Sequence, residues 1–386
     1  MNKILLDIPQ TTKIPISLSR ICYSLPIFIT ILFFSACQSE QSETDQIDNY
    51  YSAEDFTSVE KIDSHVHLNA VNPVVIEQGI EDNVKMITLN VASGGMQPVA
   101  EQQRIALELR EDRADRLAYT SAFSLEGFND SETWQQNTLD YLEQSFENGA
   151  IGVKVWKNIG MELRDENGNF VMIDDPQFDP IFQYLSDENI PLFGHIGEPK
   201  NCWLPLDEMT VANDRDYFEN NPQYHMYQHP EYPSYEEIIA SRDAMLDKNP
   251  NLTFFGAHLG SMEWSIEMMS EHLDKYPNMI LGMAHRIPHL QYLAQKDREA
   301  LREFFIEYQD RLLYSTDLQL YDSSDPEEVR QLAADTWRSD WEFFVTDNTL
   351  EVWQVEGSFQ GLKLPKEVID KLYRENARNW IPNLGL

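Results

Sequence analysis

The sequence predicts an α/β protein built as a (β/α)8 TIM barrel, a single domain with a long insertion after strand 5. Three observations carry this. Short apolar, β-branched-rich runs recur at 59–65, 84–91, 116–123, 150–156, 190–195, 251–257, 278–284 and 311–316. Stretches with helical spacing, among them 98–114, 131–148, 234–248 and 262–275, separate these runs. No glycine-rich phosphate fingerprint follows the first run, which disfavours an open dinucleotide-binding sheet. Nearly continuous apolar strands alternating with helices imply a parallel sheet covered on its outside, and eight such units fit a closed barrel.

The chain begins with a basic stretch, Lys3, Lys13 and Arg20 against Asp7, followed by the apolar run Ile21 to Ala36. That run is interrupted by Pro26 and is short for a transmembrane span of about 20 residues. It reads as a secretory signal over 1–36. Phe34-Ser35-Ala36-Cys37 resembles the lipobox of bacterial lipoproteins, with Cys37 the lipidated residue and Phe34 a departure from the usual aliphatic position. Residues 37–58 are polar and acidic and read as a flexible tether, leaving 59–386 as the barrel domain. With Cys22 removed and Cys37 acylated, Cys202 is a lone thiol, expected to be packed rather than nucleophilic.

Within the domain, Ser234-x-x-Glu237 is a capping box, and Asp175-Pro176 and Asp325-Pro326 set proline just inside helix starts. Asn167-Gly168 marks a small hairpin after the fourth strand. The stretch 196–233 is long for a barrel loop and holds Trp203, Tyr217, Phe218, Tyr224, Tyr227 and Tyr232, a lid, a binding wall or a self-packed insertion.

The histidines sit where a barrel would use them. His65 and His67 close the first strand, and residues i and i+2 of a strand project to one side with Cα atoms roughly 6.6 Å apart. Two imidazoles so spaced can converge on one ion. His195 ends the fifth strand, His258 the sixth and Asp317 the eighth. In a closed barrel these termini share one mouth, the face that carries active sites. His272 and His289 lie away from strand ends and read as structural.

Together, His65-x-His67, His195, His258 and Asp317 on strands one, five, six and eight resemble the metal-dependent amidohydrolase superfamily. The likeness is to the branch that also holds decarboxylases and hydratases of small carboxylated substrates. It spans roughly 59–386, including the closing helix Pro365 to Trp380. The resemblance implies that His65, His67, His195 and Asp317 bind a divalent ion, zinc by preference. It also implies that Asp317 shuttles a proton and that His258 polarises the substrate. Zinc held by nitrogen and carboxylate ligands with an open position can lower its water's pKa to about 7.

Lys154 ends the fourth strand, where binuclear members of the superfamily carry a carboxylated lysine bridging two ions. One ion is preferred here; a carboxylated Lys154 would bring a second. Arg286, after the seventh strand, can pair a substrate carboxylate or a neighbouring acidic loop. Trp156 and Glu198 can flank the substrate.

The charge balance bounds the partners. The 386 residues carry 65 Asp plus Glu against 29 Lys plus Arg, a formal charge of −36. That disfavours nucleic acid and electrostatic docking on anionic lipid, leaving a lipid anchor as the membrane contact and a small molecule as the substrate. The expectation is an exported lipoprotein, periplasmic or at the cell surface, that hydrolyses an amide or ester (including lactone) bond with metal-activated water. A metal-dependent decarboxylase or hydratase is the alternative, and a non-catalytic tethered binding protein a weaker one.

Overall fold

The computed structural model describes residues 49–93 and 95–386. The expected signal, Cys37 and most of the tether lie outside these residues. The last part of the expected tether instead packs on the domain. Phe56 is buried, the Trp341 indole donates to the Ser52 carbonyl at 3.0 Å, and the Tyr51 hydroxyl donates to Asp370 at 2.9 Å. Two aromatic rings, Tyr51 and Phe56, packed on Trp341 give this short stretch apolar area to bury.

The strands are β1 (Lys61–Asn69), β2 (Val84–Leu89), β3 (Leu117–Ala122), β4 (Val153–Val155), β5 (Leu192–Gly194), β6 (Phe254–Gly256), β7 (Met279–Gly282), β8 (Leu312–Leu313) and β9 (Leu318–Tyr321). They pair in parallel in the order β8-β7-β6-β5-β4-β3-β2-β1-β9, a curled nine-stranded sheet. The eighth predicted run, 311–316, thus supplies β8 alone, and β9, just beyond its end, stands at the opposite edge of the sheet. The residues between them bond to both flanks. Tyr314 accepts from the Ser64 amide at 3.1 Å, Asp317 donates its amide to the His65 carbonyl at 2.8 Å, and Thr316 accepts from the His285 amide at 3.1 Å. The sheet therefore curls round to meet itself in the manner of a TIM barrel.

Helices cover the outside: α1 (Val74–Asp82), α2 (Val99–Arg110), α3 (Ser131–Glu147), α4 (Asp179–Asp187), α5 (Ala212–Asn220), α6 (Tyr235–Lys248), α7 (Ile266–Lys275), α8 (Ile287–Glu307) and α9 (Pro326–Val345). The expected starts are there. Ser234 and Glu237 form the capping box of α6, and Asp325 accepts from the Glu327 and Glu328 amides ahead of α9. Arg164 and Phe170 bridge around Asn167-Gly168, with Gly168 at φ +84°. Between β5 and β6 the chain runs through short helical turns, α5 and α6. A two-stranded hairpin, β10 (Thr349–Glu351) and β11 (Ser358–Gln360), follows α9.

The interior has two apolar layers. An inner cluster holds Ile62, Ile87, Phe193, Phe255, Ile280 and Leu313, with Phe193 and Phe255 stacked at 4.5 Å. Ala377, Ile381 and Leu384 of the closing C-terminal segment join it. The outer cluster, between sheet and helices, takes Val66, Leu68, Val153, Leu192, Phe254 and Leu281. Strict alternation along β1 would put Ile62 and Val66 on one face, yet they belong to different layers. The register against β2 shifts between Asp63 and Val66. This bulge reverses the parity, so that His65 and His67 share the inner face with Ile62.

Candidate metal centre

His65 Nε2, His67 Nε2 and Asp317 Oδ1 form a nearly equilateral triangle. The two imidazole nitrogens are 3.1 Å apart, and the carboxylate oxygen lies 3.2 Å from His65 and 3.1 Å from His67. Ligands about 2.0–2.2 Å from one cation stand roughly that far from each other. His258 joins them: His65, His258 and Asp317 offer ligand atoms all within 4.8 Å of one another.

The outer nitrogens fix which atoms face inward. His67 Nδ1 lies 2.8 Å from the Leu89 carbonyl and His258 Nδ1 2.8 Å from the Ala284 carbonyl. A carbonyl only accepts, so each Nδ1 carries the proton and each Nε2 presents a lone pair. Burial holds His65, His195 and His258 well below the ordinary imidazole value, with the nearby Lys154 or Lys157 amine, or a facing imidazole, adding to the shift. Burial alone would raise Asp317, but the facing His65, His67 and His258 hold it well below the usual carboxylate range. Two imidazole Nε2 atoms and an ionised carboxylate oxygen, turned on one another at 3.1–3.2 Å, are the nitrogen and oxygen donors that a divalent cation takes. A divalent cation answers that arrangement, so the donor set fits the expected metal.

The backbone holds the set under strain. His258, Leu259 and Ser261 have φ of +58°, +55° and +59°, with Gly260 at +61° between them, and Asp317 has φ +69°. Non-glycine residues in the left-handed region gather at functional sites, held there by the surrounding structure. Around 258–261 the hold is a set of side-chain bonds. Ser261 Oγ donates to the Ile196 carbonyl at 2.9 Å, Tyr235 Oη donates to the Ser261 carbonyl at 2.6 Å, and Arg242 donates to the Gly260 carbonyl. His285, at φ +56°, extends the pattern to the exit of β7.

The remaining expected residues lie around this centre. Lys154 is buried, with Nζ 3.4 Å from His65 Nε2, and burial pulls it down to about 7 while Asp317 opposes the shift. His195 lies against His258 with ring centroids 3.9 Å apart and planes tilted by 46°, and its buried Nε2 has no hydrogen-bond partner. Trp156 stands edge-on to His195 at 6.3 Å. Glu198 is buried and ion-paired with Lys157. Arg286 is buried, donates to its neighbour's carbonyl on His285 at 3.2 Å and leaves Nε unpartnered. Its charge bears on two buried carboxylates, Asp214 and Glu263.

A cavity of about 910 Å³ opens beside Asp317 and His285. It is walled by the start of α8, one face of α9 and the turn of the β10–β11 hairpin, with Trp353 among its residues. Trp156, Glu198, Arg286 and the aromatics of 196–233 are not among its lining residues. Most of this lining comes from the C-terminal third of the chain, where the segments after His285 and Asp317 lead into α8 and α9, and Asn213 joins it. Sequence reasoning missed His285 and Trp353. His285 carried the same signal as the other strand ends, standing directly after the seventh apolar run.

A family model described as Amidohydrolase matches residues 62–382. The chain belongs to the amidohydrolase family. No curated protein sequence matches it. Among solved structures, this amidohydrolase is similar to 2,6-dihydroxybenzoate decarboxylase from Rhizobium, at 14% identity over 83% of this chain and 98% of that one, TM-score 0.46. It is similar to 5-carboxyvanillate decarboxylase from Novosphingobium aromaticivorans, complexed with manganese and 4-hydroxy-3-methoxy-5-nitrobenzoic acid, at 12% identity over 84% and 97%, TM-score 0.45. It is also similar to 4-oxalomesaconate hydratase from Rhodopseudomonas palustris, at 11% identity over 84% and 96%, TM-score 0.45.

Proposed function

We propose that this amidohydrolase cleaves an amide or ester bond, lactones included, in a small molecule. The convergence of His65, His67 and Asp317 on one point 3.1–3.2 Å apart, with Asp317 also lining an open cavity, carries the reading. His65, His67, His258 and Asp317 would hold a divalent cation, zinc in this proposal, with the His195 ring tilted against His258. Such an ion supplies Lewis acidity and acidifies a water. Asp317 is suited to take a proton from the attacking water and return it to the departing alkoxide or amine, as the new C–O bond forms and the C–O or C–N bond breaks. His285, open to the cavity, is placed to contact the substrate.

Hydrolysis is favoured over lyase chemistry by charge. No Lys or Arg lines the cavity, and Arg286 is faced by Asp214 and Glu263. One observation favours a decarboxylase or hydratase instead: Arg286 Nε is a buried donor without a partner, which a substrate carboxylate could take. A panel of esters, lactones, amides and carboxylates presented to metal-loaded protein separates the two. Acid release without carbon dioxide supports hydrolysis; carbon dioxide or an alkene with no hydrolytic product replaces it with the lyase. His65→Ala and Asp317→Ala should abolish metal-dependent turnover in a folded protein, and undiminished activity in either removes the mechanism. Inertness across the panel leaves a binding protein.

The proposal includes export and lipidation at Cys37. Cys37→Ala should move the mature protein from the membrane to the soluble fraction.

A further inference from the structure

We infer that the cavity beside Asp317 receives an uncharged, hydroxyl-rich substrate, a saccharide or sugar-derived ester or lactone, with Trp353 as the platform on which the ring lies. The bond broken rests on the hydrolase proposal; the recognition is read from the cavity itself.

Charge is the first ground. Asp335 and Glu351 are exposed at the cavity, with no Lys or Arg in the lining. A concave wall of one sign in a chain of net charge −36 repels an anion, carboxylated substrates included.

Hydrogen-bonding capacity is the second. The lining supplies the amides of Asn213, Gln291, Gln319 and Gln354. Asn213 Oδ1 is buried without a partner, an acceptor awaiting a donor. Each amide both donates and accepts, and each carboxylate accepts from two hydroxyls, which matches the alternating demands of adjacent hydroxyl groups. A cation would use the carboxylates and leave these amides idle.

Trp353 is the third ground. Its side chain is 67% exposed, the highest exposure among the large hydrophobics of the described residues. The hairpin turn that carries it is tied to α5, since the Ala212 amide donates to the Gln354 carbonyl at 2.8 Å. A bare indole on an anchored turn, beside amides and carboxylates, offers an apolar face to the C–H side of a sugar ring. A volume near 910 Å³ accommodates one or two such rings.

The test is binding by the full mature chain, followed by calorimetry and indole fluorescence, with methyl pyranosides, the corresponding uronates and the corresponding amino sugars. Neutral pyranosides should bind saturably, with the uronates about tenfold weaker or more at low salt. Trp353→Ala should weaken the neutral sugars about three- to tenfold, and Asp335→Asn with Glu351→Gln should narrow the gap to the uronates. Uronates bound as tightly as neutral sugars overturn the inference, as do amino sugars bound tenfold tighter than both. Absence of pyranoside binding in a protein that hydrolyses a non-sugar ester overturns it while the hydrolase proposal stands. Pyranoside binding in a protein that hydrolyses nothing keeps it and removes that proposal.

Discussion

Asp63, on β1, grips Thr316, the residue immediately before Asp317. Its Oδ2 accepts from the Thr316 hydroxyl at 2.6 Å and its Oδ1 from the Thr316 amide at 3.1 Å. The same carboxylate accepts from the Trp337 indole at 3.0 Å and the His65 amide at 3.3 Å. One buried side chain thus fixes both strands that carry the donor triangle, together with the helix behind them. Asp63→Ala leaves several buried donors without acceptors and should destabilise the fold by about 2–4 kcal/mol. It should also weaken metal binding, because His65 and Asp317 lose their common anchor. Asp63→Asn, which keeps one acceptor, should lose less. Melting temperature and metal affinity measured together check this; an Asp63→Ala protein with unchanged metal affinity would show that the triangle holds without the anchor.

A second buried carboxylate makes stability depend on pH. Burial pushes Asp340 from its ordinary 3.8 up to about 7, with the Tyr314 hydroxyl opposing the rise and Asp63 adding to it. Between those two values the folded state holds a proton that the unfolded chain has released. Stability from this group is therefore present below about pH 4 and is lost as pH rises towards 7. Asp340→Asn keeps an acceptor for Tyr314 and removes the charge. It should change little at pH 4 and gain about 2–4 kcal/mol at pH 8. Melting curves at the two pH values decide; no gain at pH 8 means the carboxylate is accommodated as an ion.

The barrel-like alternation and the strand-end histidines were legible because burial imposes a period on each run and the fold gathers run ends at one mouth. What decides the face of β1 was not. The bulge between Asp63 and Val66 leaves no mark in the hydrophobic pattern, and Ile62 and Val66 read as one face although they lie in different layers. The continuation of β1 to Asn69 was hidden for a related reason: it depends on pairing with β9, which follows the interruption at Tyr314–Asp317. Trp353 sits in a short hairpin whose strand residues are mostly exposed, so no periodicity pointed to it. The aromatics of 196–233 stood out by composition alone, whereas the residue of that stretch that lines the cavity beside Asp317 is Asn213. Asp63 was visible beside the histidines, but its partners Thr316 and Trp337 are far along the chain.

Gly260, within the left-handed turn at His258, stands where a side chain would be crowded as well as conformationally strained. A Cβ there would lie 3.1 Å from Met262 Cε, 3.2 Å from Arg242 Nη1 and 3.3 Å from Met279 Cε. Its φ of +61° adds strain of about 1 kcal/mol for any side chain. Gly260→Ala should lower stability by about 1–3 kcal/mol and shift His258, reducing metal affinity. Metal titration of the folded variant separates the two effects. Full metal affinity in a destabilised protein would show that the turn supports the fold and not the ligand.

Lys154 should govern how metal binding depends on pH. Its amine lies 3.4 Å from His65 Nε2 and burial pulls it down to about 7, so it is cationic below that pH and neutral above. The buried imidazoles of His65, His195 and His258, held well below their ordinary value, have already lost their protons in that range. A cation entering the triangle at pH 6 meets an ammonium beside it; at pH 9 it meets a neutral amine. Affinity of the wild-type protein should therefore rise with pH through about 7, and one ion should bind per chain. Lys154→Met removes the charge at every pH. It should bind metal about tenfold or more tightly than wild type at pH 6 and equally at pH 9, a repulsion of the size expected for charges a few Å apart at an effective dielectric near 20. Titration of chelated protein at both pH values gives affinity and stoichiometry at once. Loss of affinity in Lys154→Met at both pH values, with two ions per wild-type chain, would instead make Lys154 a ligand in its carboxylated form.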